Sequence, residues 1–282
     1  MVKISCVVEN TATFASEFYA EHGLSILIEN GDTKVLFDTG NNPEVLKKNM
    51  ELLNGFENLN HVVLSHGHND HTGGLAYILN YTSADILMHE KAFLPKYILR
   101  EGKTKFIGTN GDRITKKYSI NVNDQKTSET RIEFISKIIE ITPNIYIFPE
   151  ISFKYDFEDL NPSFLVRTND NFIVDSFEDE LVLVIKTDKG LVVLSGCGHR
   201  GIVNTLSSVV EYFGDDVHAV IGGTHLVSAD EDRLNKTFEE LKRFDPDQLI
   251  LGHCNGLDAT CRFKKEFKNK FQTLESGEEI NI

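Results

Sequence analysis

The sequence predicts an α/β protein in which helices cover the sheets. Three observations support this class: strand patterns that form hairpins open each half of the chain, helix and strand patterns then alternate, and several predicted strands end in loops that contain histidine. With 282 residues, 40% of them hydrophobic, the chain is long enough to bury a full core. We expect a single domain over residues 1–282, with residues 101–167 as an insert or cap subregion.

The first part of the chain begins with strands and continues with alternating helices and strands. Asn30-Gly31-Asp32 tolerates positive φ and therefore predicts a hairpin turn. Asn42 followed by Pro43 is typical of a helix start. In chain order, the patterns predict strands over 2–8, 24–29 and 34–38, a helix over 42–53, a strand over 61–65, a helix over 74–80, a strand over 85–88 and a helix over 91–100.

The second part of the chain has weak patterns at first and clear ones later. Between residues 101 and 167 the clearest short strands are 131–136 and 145–148. Asp188-Lys189-Gly190 then predicts a hairpin. Later elements are its two strands over 181–187 and 191–195, followed by a helix over 202–213, a strand over 219–221, a helix over 234–244 and a strand over 248–251.

Composition excludes several classes of function. The net charge of -14 repels the phosphate backbone, so we expect no nucleic acid partner. No apolar run approaches the roughly 18 residues that a membrane span needs, and residues 1–9 do not resemble a signal peptide. We therefore expect a cytoplasmic protein without a membrane partner, whose four cysteines are free thiols.

The strongest motif is the segment Ser65–Gly74, called the histidine loop below. It directly follows a predicted strand and contains His66, His68, Asp70 and His71 within six positions. In an extended loop, residues two apart project to the same side, so His66 and His68 can bind one ion while Asp70 and His71 reach a second. The loop therefore predicts a site for one or two metal ions.

This HxHxDH loop resembles that of the metallo-β-lactamase superfamily. The segment Leu36-Phe37-Asp38-Thr39-Gly40 resembles the early acidic turn of the same superfamily. The resemblance implies a four-layer αβ/βα sandwich, here with an insert, in which Asp38 supports the metal loop without binding metal itself. A plain turn residue is the alternative for Asp38.

Further motifs resemble one subgroup, often labelled dihydropterin-methyl ribofuranosyl-aminobenzene phosphate synthase-like. The resemblance implies a small-molecule substrate that contains a phosphate or a pterin. The motifs are Glu21-His22-Gly23-Leu24-Ser25, Ser195-Gly196-Cys197-Gly198-His199-Arg200-Gly201-Ile202-Val203-Asn204, Ile221-Gly222-Gly223-Thr224-His225-Leu226 and Gly252-His253-Cys254-Asn255-Gly256.

The chain departs from the superfamily pattern, because no histidine occurs between His89 and His199. His199 is the best replacement for the missing late ligand, and His253 resembles the superfamily's last metal histidine. Cys197 lies where a bridging carboxylate is expected, and it is either a thiolate ligand or an inert buried cysteine. Four acidic residues could also supply a carboxylate ligand: Asp175, Glu178, Asp179 and Glu180.

The remaining histidines have open roles. His225 either contacts metal or substrate or is a structural polar group, while His22 and His89 are candidates to line the pocket. Two others, His61 and His218, lie in or beside strand patterns and are expected to be core or surface residues. Arg200 could meet an anionic substrate group, although an ordinary surface arginine is the alternative.

The predicted activity is metal-dependent hydrolysis. Two divalent metal ions, zinc or alternatively iron or manganese, would activate water near neutral pH. Asp70 would orient that water as well as bind metal, and His225 or His199 would deliver a proton to the leaving group. Two alternatives share the fold: a metal-binding or sensor protein without catalysis, and a di-iron redox protein. The redox class usually carries an acidic residue at the position of His68.

Overall fold

The computed structural model describes residues 2–109, 111, 114, 131–169 and 171–282. Within the predicted insert, residues 110, 112, 113 and 115–130 lie outside the described residues. The chain divides into two compact units. The first comprises Met1–Ser136, Asn161–Asp179 and Ser276–Ile282, and the second comprises Lys137–Leu160 and Glu180–Glu275.

The described residues form strands and helices that are numbered here in chain order. The strands are β1 Val2–Val8, β2 Ser25–Asn30, β3 Thr33–Phe37, β4 Leu59–Val63, β5 Asp85–Met88, β6 Lys96–Arg100, β7 Lys103–Phe106, β8 Ile132–Phe134, β9 Ile139–Thr142, β10 Ile145–Phe148, β11 Phe164–Thr168, β12 Asn171–Val174, β13 Val182–Thr187, β14 Gly190–Ser195, β15 Val217–Gly222, β16 Gln248–Leu251, β17 Phe271–Thr273 and β18 Glu279–Asn281. The helices are α1 Pro43–Leu52, α2 Asn69–Thr72, α3 Leu75–Tyr81, α4 Ile202–Phe213, α5 Glu231–Phe244 and α6 Leu257–Phe267, with 3₁₀ turns at Glu90–Phe93 and Lys268–Lys270.

The first unit contains a sheet in the order β18-β1-β2-β3-β4-β5-β8 and a smaller sheet in the order β12-β11-β6-β7. In the larger sheet, pairing is antiparallel from β18 to β3 and parallel from β3 to β8. Leu36, Val62 and Ile86 are in register across β3, β4 and β5 and belong to one buried cluster with residues of α1 and α3. These two helices therefore cover one face of the larger sheet.

The second unit contains a sheet in the order β17-β16-β15-β14-β13-β10-β9. Its pairing is antiparallel from β9 to β14 and parallel from β14 to β17. Val193, Val220 and Leu249 are in register and pack in one buried cluster with apolar residues of α4, α5 and α6. The predicted α/β class is confirmed in both units.

Most predicted elements are confirmed. Both predicted hairpins are present, as β2 with β3 and β13 with β14. Helix α1 begins at Pro43, and the side chain of Asn42 caps it by accepting a hydrogen bond from the backbone N–H of Glu44. Among the described residues, no helix combines the length and the hydropathy needed to cross a bilayer.

The prediction of a helix over residues 91–100 is wrong. The structure has a 3₁₀ turn at Glu90–Phe93 and then strand β6, which pairs with β7 and β11. Pro95 explains the difference, because proline removes a helix hydrogen bond and clashes with the preceding turn. The division into one domain with an insert stays a prediction, although described residues between 101 and 167 contribute strands to all three sheets.

Strand β6 places a buried lysine between two buried carboxylates. The Nζ of Lys96 donates to Asp175 Oδ2 at 2.6 Å and to Asp179 Oδ1 at 2.9 Å. Burial alone would lower the pKa of Lys96, but the charges and hydrogen bonds of Asp179 and Asp175 raise it instead. In this cluster of three buried charges, removal of the lysine would leave the two carboxylates without a counter-charge.

Replacing Lys96 with methionine leaves two carboxylates buried without their cation. We expect Lys96→Met to lower the free energy of unfolding by about 3–5 kcal/mol. Lys91 is the matched control, because it forms an exposed ion pair with Glu178; Lys91→Met should cost less than about 1 kcal/mol. Urea denaturation measures both, and equal losses in the two variants would contradict the expectation.

Candidate metal centre

Most of the predicted metal-site residues of the first unit follow the carboxyl ends of parallel strands. Asp38 directly follows β3, the histidine loop follows β4, and His89 directly follows β5. In open α/β sheets, ligands bind at this edge of the strands. The histidine loop therefore lies where loops on a rigid sheet can present side chains.

The three histidines of the loop lie against one another. His66 Nε2 is 3.0 Å from His68 Nδ1, and the ring centroids of His66 and His71 are 4.3 Å apart. All three side chains are buried. The structure thus brings together the imidazoles that the sequence predicts as ligands.

Asp38 fixes the orientation and the tautomer of two of these rings. Its Oδ2 lies 2.6 Å from His71 Nδ1, so that nitrogen carries the proton and Nε2 offers a lone pair. Ser65 gives its only hydroxyl proton to Asp38 Oδ2 at 2.7 Å, so its oxygen accepts from His66 Nδ1 at 2.9 Å. In both histidines Nε2 is therefore the nitrogen with the lone pair, as in carboxylate–histidine–metal arrangements, and Nε2 of His66 faces His68 Nδ1 at 3.0 Å.

His68 is enclosed by aromatic side chains. Its ring stacks on Phe164 with centroids 5.5 Å apart and meets Phe177 edge-on at 5.6 Å. Burial lowers the pKa of His68 to about 3, although the nearby charge of Asp70 opposes the shift. His68 is therefore neutral at pH 7, which is the form of imidazole that binds metal.

Asp70 belongs to the single helical turn α2 and pairs with a residue outside the histidine loop. Its Oδ2 lies 3.2 Å from Nε2 of His22, whose side chain is mostly exposed. The structure therefore places His22, a predicted pocket residue, directly beside the predicted catalytic aspartate.

The histidine loop approaches neighbouring backbone so closely that two of its glycines admit no side chain. A Cβ on Gly67 would lie 2.1 Å from the carbonyl oxygen of Ala92, and one on Gly73 would lie 1.9 Å from that of Asn41. Glycine is required at both positions because any other residue would force this backbone apart.

Asp179 holds the histidine loop by its backbone. Its Oδ2 accepts from the N–H of Gly67 at 2.8 Å, while Oδ1 accepts from Lys96. Burial would raise the pKa of Asp179, but Lys96 and the Gly67 hydrogen bond lower it overall. Asp179, which the sequence proposed as a metal ligand, is therefore already an ionised partner of Lys96 and the loop, and Asp175 is paired with the same lysine.

Glu180 has the corresponding role in the second unit. Its carboxylate accepts from the backbone N–H groups of His199 and Arg200, both at 2.7 Å. The side chain of Arg200 stacks on Phe153, with the guanidinium carbon 4.5 Å from the ring centroid. Glu180 thus positions the loop that contains the predicted ligand His199.

The predicted residues of the second unit also follow adjacent parallel strands. Cys197 and His199 follow β14, His225 follows β15, and His253 follows β16. The rings of His199 and His225 have centroids 4.1 Å apart. His225 and His253 both have positive φ, 49° and 56°, a backbone strain that is typical of functional sites.

Backbone and side-chain hydrogen bonds connect the three loops of the second unit. Asn255 Oδ1 accepts from the N–H and the hydroxyl of Thr224, at 3.0 and 2.8 Å. Cys254 Sγ accepts from the N–H of His225 and donates to the carbonyl oxygen of Cys197, both at 3.2 Å. These bonds fix the positions of residues that are distant in sequence.

Glu158 lies in the predicted insert, and its side chain supports the start of helix α4 in the second unit. Its buried carboxylate accepts from the N–H groups of Val203 and Asn204 at the start of α4. Burial raises its pKa to about 7, although these two hydrogen bonds oppose the shift. Glu158 is therefore close to half protonated at neutral pH.

The remaining candidates have local partners. His89 Nδ1 accepts from the N–H of Lys91, and burial lowers the pKa of His89. His218 Nδ1 lies 2.8 Å from Asp247, so its predicted structural role has a specific contact. Half-buried His61 lies in β4, and burial lowers its pKa as well.

Sequence reasoning missed several residues that support the site. Ser65 and Glu158 were not predicted to do so, and Asp179 and Glu180 were considered only as ligands. A serine directly before a histidine carries no pattern of its own, and a carboxylate that accepts backbone hydrogen bonds leaves no spacing signal. The acidic run before the hairpin was the available signal, and its contacts required the structure.

The donor set of the first unit fits a divalent cation. The three imidazoles of the histidine loop are buried, with His66 in ring contact with both His68 and His71, and the fixed tautomers of His66 and His71 place the lone pair on Nε2. Neutral imidazole binds zinc, iron and manganese. In the second unit, the donor atoms of Cys197, His225 and Cys254 lie within 4.8 Å of one another and also suit a metal ion.

Comparisons with known proteins agree with this geometry. A family model described as the metallo-beta-lactamase superfamily matches residues 19–144. From Methanocaldococcus jannaschii, a 7,8-dihydropterin-6-methyl-4-(beta-D-ribofuranosyl)-aminobenzene-5'-phosphate synthase is 33% identical, covering 100% of this chain and 97% of that protein. An uncharacterized protein of the same organism is 31% identical over 94% of each chain.

A crystal structure of a metal-dependent hydrolase of the beta-lactamase superfamily has a TM-score of 0.84 and 28% identity, covering 100% of this chain and 99% of that one. The superfamily fold that the sequence predicted is thereby confirmed.

Replacing Asp38 with asparagine should weaken metal binding, because the amide offers one acceptor oxygen where Ser65 and His71 need two. We expect Asp38→Asn to reduce metal affinity about 10–100-fold. Competition with a chromogenic chelator measures the affinity. Asp32→Asn, in the exposed turn between β2 and β3, is the control and should bind as the wild type does; equal affinity in both variants would contradict the role given to Asp38.

Glu158 should make stability fall as the pH rises. Its pKa is raised from 4.5 to about 7 in the folded protein, so its contribution is complete below pH 4.5 and is lost as the pH rises through about 7. Glu158→Gln should flatten this part of the curve of unfolding free energy against pH. The exposed Glu150→Gln is the control, and an unchanged slope in Glu158→Gln would refute the assignment.

Proposed function

The chain belongs to the metallo-beta-lactamase superfamily, and from this premise we propose that it is a metal-dependent hydrolase of a small molecule. One observation carries the proposal: Asp38, directly and through Ser65, fixes His71 and His66 in the tautomer in which Nε2 has the lone pair that binds metal. A carboxylate that fixes the tautomer of a buried histidine is typical of metal sites, where it orients the ligand.

The proposed ligands are those that the sequence predicted. They are His66, His68, Asp70, His71, His199 and His253. The contacts of Asp38, Asp179 and Glu180 support the proposal, because each holds one of the loops that present these ligands. Two divalent ions, zinc or alternatively iron or manganese, suit a set of imidazoles and a carboxylate.

When bound, the metal supplies a water of lowered pKa and polarises the electrophilic group of the substrate. Asp70 orients that water through its carboxylate, and His22, 3.2 Å from the carboxylate, limits the positions that Asp70 can take. His225 or His199 delivers a proton to the leaving group. Histidine is the side chain that most often acts as a general acid, which suits either residue to this role.

The proposed substrate is a small molecule that contains a phosphate or a pterin. Support comes from the relative named as synthase of a dihydropterin and ribofuranosyl-aminobenzene phosphate compound, which matches the whole chain. A net charge of -14 disfavours nucleic acid as the substrate. Arg200, held over Phe153, is the guanidinium that we propose for an anionic group of the substrate.

The same relative favours a second candidate, a synthase that forms a pterin-containing product. The two candidates differ in whether water or a second substrate attacks. Incubation with a dihydropterin donor and a ribofuranosyl-aminobenzene phosphate, followed by mass spectrometry, detects a joined product. Such a product, without hydrolysis of phosphoesters, lactones or thioesters, would replace the hydrolase proposal.

The hydrolase proposal is tested by metal analysis together with activity. Protein purified without added metal should contain about two equivalents of zinc, iron or manganese and hydrolyse at least one member of a phosphoester, lactone and thioester panel. His66→Ala and His253→Ala should lose metal and activity together. His61→Ala, in β4, is the matched control and should keep both.

Protein that contains no metal and cannot be reconstituted would overturn the proposal. Activity that survives chelation and the loss of His66 would do the same.

A further inference from the structure

Three donor side chains of the second unit meet at the carboxyl ends of three adjacent parallel strands. Cys197 follows β14, His225 follows β15, and Cys254 follows β16. Because these strands are neighbours in the sheet, residues 57 positions apart in sequence reach the same edge. The convergence is a consequence of topology, and no sequence motif spans it.

Cys254 contacts the other two residues directly. Its Sγ accepts from the backbone N–H of His225 and donates to the carbonyl oxygen of Cys197, both at 3.2 Å. The two sulfur atoms and a ring nitrogen of His225 all lie within 4.8 Å of one another. Metal binding would therefore need only small side-chain rotations.

The surroundings also favour a bound cation. Both cysteines are buried and form no disulfide, and a backbone N–H directed at a sulfur stabilises the thiolate form that binds metal. A Cβ on Gly223 would lie 2.7 Å from Cys254 Sγ, so the absence of a side chain at this position makes room for the sulfur. His225 is held in a strained conformation with φ of 49°.

We propose that Cys197, Cys254 and His225 bind a divalent cation of the zinc class through two thiolates and one imidazole. Two thiolates neutralise a divalent charge, which reduces the cost of burying it, and sulfur ligands select zinc over magnesium or calcium. The donor set lies within the second unit. It adds Cys254 to the ligand candidates and assigns the thiolate role to Cys197.

The proposal goes beyond the proposed function and does not depend on hydrolysis. In the cation-loaded protein His225 is a ligand and does not deliver the proton to the leaving group. A metal-loaded spectrum can therefore support this site even if the chain hydrolyses nothing.

Cobalt(II) is the probe, because a cobalt–thiolate bond gives an intense near-ultraviolet charge-transfer band that imidazole and carboxylate ligands do not give. Full-length protein is treated with chelator, reduced, and titrated with cobalt(II) without oxygen. We expect the band in the wild type, a loss of about half in Cys197→Ser and in Cys254→Ser, and nearly complete loss in the double variant. His225→Gln should shift the visible d–d bands.

Two controls make the result specific. Cys261→Ser removes the exposed thiol of α6 and should leave the band unchanged. His66→Ala removes a proposed ligand of the first unit and should keep the thiolate band while losing hydrolysis.

The wild-type spectrum alone can overturn the proposal, even if a serine variant fails to fold. Cobalt that binds without a charge-transfer band excludes thiolate ligands. If the band disappears in Cys261→Ser, the thiolate ligand is Cys261 and the proposal is wrong. A persistent band without hydrolysis would contradict only the proposed function.

Discussion

One buried carboxylate determines the geometry of the histidine loop. Asp38 accepts hydrogen bonds from the N–H and hydroxyl of Ser65 and from His71. It therefore holds two residues of the histidine loop that are six positions apart in sequence. The backbone there has a positive φ of 62°, a strained conformation for a non-glycine residue. Thr39 compensates for it, because its N–H and hydroxyl both donate to the carbonyl oxygen of His71. Side-chain and backbone hydrogen bonds thus fix the turn at Asp38 and the histidine loop relative to each other.

Asp179 and Glu180, which are consecutive in sequence, also hold histidine-bearing loops through hydrogen bonds, one in each unit. Each accepts backbone N–H groups of a histidine-bearing loop, Asp179 in the first unit and Glu180 in the second. Lys96 supplies the neutralising charge for the buried carboxylate of Asp179. Carboxylates that the sequence suggested as ligands therefore hold the loops that contain the predicted metal histidines. A carboxylate whose oxygens already accept from N–H donors has fewer lone pairs to offer a metal ion.

The fold was predictable wherever local and tertiary preferences agree. Asn30-Gly31-Asp32 and Asp188-Lys189-Gly190 determine turns by backbone conformation alone, and both hairpins were correctly predicted. The prediction of a helix over 91–100 is wrong because Pro95 interrupts the helix that the apolar spacing indicates. The burial of Lys96 could not be predicted from the local sequence. A lysine is normally expected to be exposed, and Lys96 is buried in β6 because it pairs with two aspartates that are distant in sequence.

The two units differ in how far their candidate sites can be predicted from sequence. In the first unit a single loop after β4 carries the histidines, so their spacing alone indicates chemistry. In the second unit Cys197, His225 and Cys254 each follow a different strand, and the parallel order β14-β15-β16 brings them together. Neither residue type nor spacing reports such an arrangement, because the strand order is a tertiary property. Motifs indicated Cys197 and His225 as separate candidates, but the convergence of these residues with Cys254 becomes apparent only when the carboxyl ends of neighbouring strands are compared.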